Sequence, residues 1–193
     1  SERPEVTLMQ ANVDVLIIGA GPAGSTAAAL LHQEGFRLLV VEKQHFPRFV
    51  IGESLLPHSM DLLKEAGLLP NIEQQDFMQK GGAVFLRGTE TCNFDFSSQF
   101  TAGWSYTYQV PRAEFDKTLA DGVAAKGVEI LYGHGVTAIG LDATNATVTV
   151  QQPDGNLQTV TFSGEANIAI GSKLPCSATR SPTRRRASPR SVV

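Results

Sequence analysis

The sequence predicts an α/β fold: a parallel sheet wound with helices, joined by a small antiparallel β-region. Three observations predict it. An apolar, β-branched run from Val13 to Ile18 stops at a glycine turn, a helix-forming stretch follows, and a second apolar run closes on an acid at Glu42. Further along, short alternating runs with a hairpin signal between two of them supply the antiparallel part.

Val13 to Ile18 reads as a buried parallel strand entering the turn "GAGPAG". Gly19, Gly21 and Gly24 fit G-x-G-x-x-G, in which the glycines serve a tight turn, close backbone approach to a pyrophosphate, and close packing of helix on strand. Pro22 and Ala23 fill the spacing, and Pro22 suits a first helical turn because its missing N–H has no helical partner there. "STAAALLHQEG" continues as a helix with Ala28 one turn after Gly24 on the same face, and Gly35 ends it. "FRLLVVEK" is the second strand, and Glu42 stands where a carboxylate accepts both ribose hydroxyls of an adenosine and repels a 2′-phosphate. Lys43, next in line, is grouped with it as a binding residue. A lone G-x-G-x-x-G reads equally as a turn without a ligand. In this strand, turn, helix, strand and acid context it predicts a Rossmann-like dinucleotide site, which does not separate FAD from NAD.

Composition sets the bounds. A chain of 193 residues holds one good core, or one domain with a partial second, and excludes a large multidomain enzyme. The apolar fraction of 42% and charged fraction of 18% suit a soluble globular protein, and no apolar run reaches the length of a membrane span. The start "SERPEVTLMQANVD" lacks a basic segment followed by an apolar one, so a cytoplasmic protein is expected. Cys92 and Cys176 lack metal-ligand spacing and read as buried or idle thiols. Charge is uneven: residues 1–171 hold 10 basic and 19 acidic side chains, whereas residues 172–193 hold 6 basic ones and no acid.

"FPRFVIGESLLPHSMDLLKEAGL", from Phe46 to Leu68, carries Arg48, Ile51, Gly52, Glu53 and Ser54 in an RxxIGES pattern ahead of an expected helix from about Leu55 to Ala66. This segment resembles the one that follows the second strand in flavin-dependent halogenases and their monooxygenase and reductase relatives. The resemblance extends through "FMQKGGAVF" and "YQVPRAEFDKTLADGVAAKGVEIL" and covers roughly residues 12 to 170. It implies FAD as the cofactor. From the residues themselves, Gly52 allows unhindered backbone near a flat ring, while Glu53 and Ser54 offer a charge and a hydroxyl; an ordinary helix start with Ser54 as its N-cap is the alternative. Arg48 balances cofactor phosphates or is simply solvated.

"WSYTYQVPRAEFDKTLADGVAAKG" predicts a strand ending near Val110, Pro111 at a helix start, and a helix to about Lys126. Gln109 and Arg112 flank that junction, and the resemblance implies that both reach FAD; a surface pair is the plain alternative. Asp116 and Lys117 are expected as helix-surface charges. The runs "VEILYG", "GVTAIGLDA", "TVTVQQ" and "LQTVTF" form the small rim sheet, with "PDGN" as a hairpin turn, and "ANIAI" returns to the parallel sheet.

Lys80, with Gly82, Ala83 and Phe85, matches the KxGAxF setting of the resembled halogenases. There the lysine receives hypohalous acid, formed by halide oxidation at the flavin, and delivers electrophilic halogen to an electron-rich ring. A desolvated lysine suits this task because its charge is readily lost, unlike that of arginine. "QKGG" also reads as a solvated turn before a strand. The second halogenase mark, WxWxIP, is not found, since Trp104 is the only tryptophan and stands in "GWSY". No second nucleotide loop is visible, so a separate flavin reductase or a transient nicotinamide encounter is expected to supply electrons to an enzyme acting on a small aromatic or isoprenoid substrate. A catalytically inactive flavin- or NAD-binding module is the alternative.

Three segments follow: an N-terminal extension over 1–11, a partial FAD-binding domain over 12–171, and a basic tail over 172–193. The tail holds five serines, three prolines, five arginines and no aromatic residue, which predicts disorder. It lacks the aromatic interleaving of a nucleic-acid binder, so no nucleic-acid partner is expected. The family's acidic DxSG turn after the returning strand is replaced by "GSKLPC", so a frame change or truncation is expected, leaving the first half of a flavoenzyme.

Overall fold

The computed structural model describes residues 13–141, 145–163 and 167–170. Strand β1 (Val15–Ile18) is buried at all four positions because it has a neighbour on both edges and a packed layer on both faces. It pairs in parallel with β2 (Leu38–Glu42) and with β11 (Asn167–Ile170), and β7 (Glu129–Tyr132) lies parallel on the outer edge of β2. Among the described residues the sheet order is β11-β1-β2-β7.

Side chains alternate across this sheet. Val15, Ile17, Leu38 and Val40 pack against helices α1 (Pro22–Gln33), α2 (His58–Glu65), α3 (Leu69–Glu73) and α4 (Arg112–Ala125), with Ala28, Met60, Ile72, Leu119 and Val123 in the same core. Leu16, Ile18, Leu39 and Val41 face the other way, onto Val148, Val150 and Phe162. Those three belong to an antiparallel sheet of β8 (Gly135–Leu141), β9 (Asn145–Gln151) and β10 (Leu157–Ser163). The "PDGN" turn joins β9 to β10, with Gly155 at φ +87°. Two smaller pairs complete the described chain: β3 (Met78–Lys80) with β6 (Thr107–Gln109), and the hairpin of β4 (Gly82–Arg87) with β5 (Glu90–Asp95).

Several expectations need correction. The run Glu129–Tyr132 joins the main parallel sheet and not the rim sheet, because it leaves α4 through the tight turn at Gly127 and is delivered beside β2 as the strand of a helix-strand unit. The expected helix from Leu55 starts only at His58. Leu55 N donates to Tyr108 O at 3.2 Å and Val110 N donates to Glu53 O at 2.8 Å, so this stretch is held in a ladder with β6. Pro57 also disfavours helical backbone at Leu56. Ser54 is therefore no N-cap; it sits in an isolated antiparallel bridge with Gln109. Cys92 is a free thiol, but exposed and not buried. Cys176, the 1–11 extension and the 172–193 tail lie outside the described residues. Among the described residues no helix is long and apolar enough to cross a membrane.

Candidate functional site

The glycine turn follows directly from its backbone. Gly19 has φ +96°, which side chains rarely adopt, and its N–H donates to Val41 O at 2.8 Å, tying the turn to β2. A Cβ on Gly24 would stand 1.9 Å from the Gly19 carbonyl oxygen, so only glycine lets α1 pack this close to the end of β1. Gly21 is the N-cap of α1 in extended backbone, Pro22 opens the helix, and no side chain caps it. Ala23 is exposed at that first turn. The result is a helix N-terminus whose N–H groups are not claimed by a capping side chain, the arrangement that receives a phosphate.

Glu42 ends β2 beside this turn and is 3% exposed. Ala20 N donates to its Oε2 and Gln44 N to its Oε1, each at 3.0 Å. A carboxylate accepts about four hydrogen bonds, so acceptor positions remain for hydroxyls of a ligand. Lys43 is exposed, with its Cβ beside Gly135 at the start of β8.

Beside the turn lies a group of four charges. Arg48 Nη2 is 3.7 Å from Glu42 Oε2 and 3.5 Å from Asp116 Oδ2, and its guanidinium lies 4.8 Å from the Phe46 ring centroid. Its Nε is buried with no hydrogen-bond partner. Arg112 Nε and Nη2 donate to the two oxygens of Asp116 at 2.8 and 3.2 Å, and Nη1 donates to Ile51 O and Gly52 O at 3.3 and 3.2 Å. Gly52 carries φ +108°, and a Cβ there would approach Arg112 Nη1 to 3.4 Å. Asp116 is 0% exposed, which corrects its expected place on the helix surface. Lys117 is on that surface, bonded to Asp121. The signal for Asp116 was in the spacing: with Leu119, Ala120 and Val123 it forms one helical stripe, and those three are fully buried.

A second cluster surrounds Lys80. Ser54, Gln109 and Met78 stand in one cross-strand row, and Lys80, two residues beyond Met78, projects from the same side. Lys80 Nζ donates to Ser54 Oγ and lies 5.4 Å from the ring centroid of Phe96, a buried residue that the sequence reading did not single out. Lys80 is half-buried at the end of β3 and is not in a solvated turn. Glu53 has an exposed side chain and holds β6 through its backbone. Beneath this row burial pushes the Tyr108 phenol up, which keeps it protonated.

Comparison with known proteins fits this geometry. The family model for an FAD binding domain matches residues 12–165. The chain belongs to the FAD-binding domain family. A tryptophan 2-halogenase of Chondromyces crocatus is 36% identical over 134 residues, covering 69% of this chain and 25% of that protein. Among solved structures, a flavoprotein/dehydrogenase from Cytophaga hutchinsonii superposes with TM-score 0.75 at 50% identity, covering 83% of this chain and 39% of that one. CmlS, a flavin-dependent halogenase, gives TM-score 0.71 at 35% identity, with 79% and 28% coverage. The chain thus spans about a quarter to two-fifths of the length of these relatives.

FAD is the cofactor of this domain, and the residues present suit it. A Cβ at Gly21 would already touch Arg48 Nη2 at 3.4 Å, so the glycine lets that guanidinium lie close against the turn. The unpartnered Arg48 Nε and the uncapped start of α1 offer donors to its phosphates, and Glu42 offers acceptors to its ribose.

Proposed function

We propose that this chain is the FAD-holding portion of a cytoplasmic flavin-dependent halogenase in which Lys80 hands halogen to the substrate. The carrying observation is the position of Lys80, fixed by Ser54 Oγ and Phe96 on the same side of the strand row as Gln109. Bound FAD, once reduced by a separate flavin reductase, would supply the reaction with dioxygen, the oxidant that converts halide to hypohalous acid. Glu42 holds the ribose, the glycine turn and Arg48 hold the phosphates, Gln109 approaches from the end of β6, and Arg112, at the start of α4, braces the Gly52 loop beside them. Lys43, Gly52 and Glu53 line the loops around these contacts.

At Lys80 the amine nitrogen takes halogen from hypohalous acid: an N–halogen bond replaces an N–H bond, and water leaves. An electron-rich aromatic or isoprenoid carbon then takes the halogen, and its proton returns the amine. Ser54 accepts an N–H from Lys80 and so orients the nitrogen lone pair.

The test is Lys80→Ala in the protein that carries this chain, with FAD, a flavin reductase, halide and a panel of indoles, pyrroles and phenols. Halogenated product, read by mass spectrometry, is expected to fall at least about a hundredfold while FAD binding is kept. Equal halogenation sinks the role of Lys80. The 50% identity to a flavoprotein/dehydrogenase favours a second reading, redox chemistry on the same cofactor without halogen. Substrate-dependent consumption of reduced nicotinamide that ignores both halide and Lys80→Ala supports that reading instead.

A further inference from the structure

Four charged groups meet beside the glycine turn, and they are not equivalent. Arg112 spends its donors on the protein: two on Asp116 and others on the Ile51 and Gly52 carbonyls. It is a strut between α4 and the loop that carries Gly52. Arg48 sits 3.5 and 3.7 Å from its two carboxylates, too long for good hydrogen bonds, so its charge is balanced while its Nε donor has no hydrogen-bond partner. A buried guanidinium nitrogen with an unused N–H is costly unless a ligand supplies the acceptor. Glu42 does not explain this arrangement alone, since the Asp116 carboxylate stands nearer to Arg48 Nη2 than the Glu42 carboxylate does.

We infer that Asp116 is a positioning residue for the diphosphate of the cofactor. It fixes Arg112 by direct hydrogen bonds and holds Arg48 over Gly21 by charge alone, leaving Arg48 able to donate to a phosphate oxygen. The inference rests on the FAD reading. The balance of two carboxylates and two guanidiniums makes the group neutral before a ligand arrives. Removing the Asp116 charge leaves two part-buried cations and one carboxylate, so Arg48 is drawn from the turn toward Glu42.

The experiment compares binding of FAD, ADP and adenosine to the full 193-residue chain, by flavin fluorescence and by ligand-observed NMR. Asp116→Asn is expected to weaken ADP and FAD about tenfold or more while adenosine changes less than about threefold. Arg48→Gln, a milder change at a residue nearer the surface, is expected to give the same pattern. The double variant is expected to bind no worse than Arg48→Gln alone, because both act through one donor. Loss of adenosine in proportion to ADP in Asp116→Asn, or additive losses in the double variant, marks a merely structural aspartate and overturns the proposal. If the unaltered chain binds neither FAD nor ADP, the FAD reading itself fails and takes the proposal with it.

Discussion

The glycine turn and the Lys80 strand row lie in one chain but are built in opposite ways. Behind the turn, β1 and β2 are buried along their whole length, and among the described residues Arg48 Nε is the one buried side-chain donor or acceptor without a hydrogen-bond partner. Next to Lys80, the β4–β5 hairpin presents Val84, Phe85, Leu86 and Phe94 to solvent at 57–72% exposure, and nearby Phe49 and Ile51 are more exposed still. The first region derives its shape from its own packing. The second holds its catalytic candidate in place through two contacts, Ser54 and Phe96, and gains little from the apolar side chains around it.

That contrast is breakable. Gly24→Ala is the harshest change, since the new methyl meets backbone oxygen at 1.9 Å and backbone has no rotamer to escape into. Stability in a urea titration is expected to drop by more than about 3 kcal/mol, with FAD binding lost at the same time. A variant that melts like the parent would show the turn to be far softer than its geometry implies. Phe85→Ser on the exposed hairpin is the counterpart. Its effect on the same titration is expected to stay within about 0.5 kcal/mol, with increased solubility, because a side chain 63% exposed gives up little burial. A large loss there would mean that the hairpin is covered in solution.

The smallest expected effect concerns the entrance to the two strands. Arg37 binds the Asp14 carboxylate through its side chain and its backbone N–H, holding the carboxyl at about 2. The folded value lies below the unfolded one, so this pair stabilises the fold fully above about pH 4 and the benefit is lost as pH falls toward 2. Because the two side chains are 54% and 37% exposed, the benefit is slight. Melting curves of the parent and Asp14→Asn are expected to differ a little at pH 6 and to coincide near pH 2; a gap that persists in acid would remove the ionic explanation.

Legibility in the sequence followed the same division. The strand, turn, helix, strand and acid from Val15 to Glu42 were readable because each step depends on near neighbours: a β-branched run, a glycine at positive φ, a proline at the first helical position. The strand before Pro111 and the helix after it were readable for the same reason, as was the "PDGN" hairpin. What was not readable depends on distant partners. Glu53 to Leu55 adopts a ladder only because Tyr108 and Val110 arrive beside it, more than fifty residues later. The spacing of Asp116 puts it on the buried stripe of α4, but what balances its charge is not readable until two arginines, one of them from a loop far up the chain, are brought to it.

The position of β1 between β2 and β11 has a consequence for how the chain is made. β2 follows β1 closely, so the glycine turn is complete soon after residue 42 has been synthesised, whereas the other edge of β1 waits for Asn167–Ile170. For more than a hundred residues of translation the strand that carries the turn keeps one row of backbone N–H and C=O groups bare, open to pairing with any extended segment nearby. The arrival of β11 closes that row, so a ribosome that stalls before Asn167 releases a chain whose nucleotide turn is finished while the strand that carries it still has an open edge.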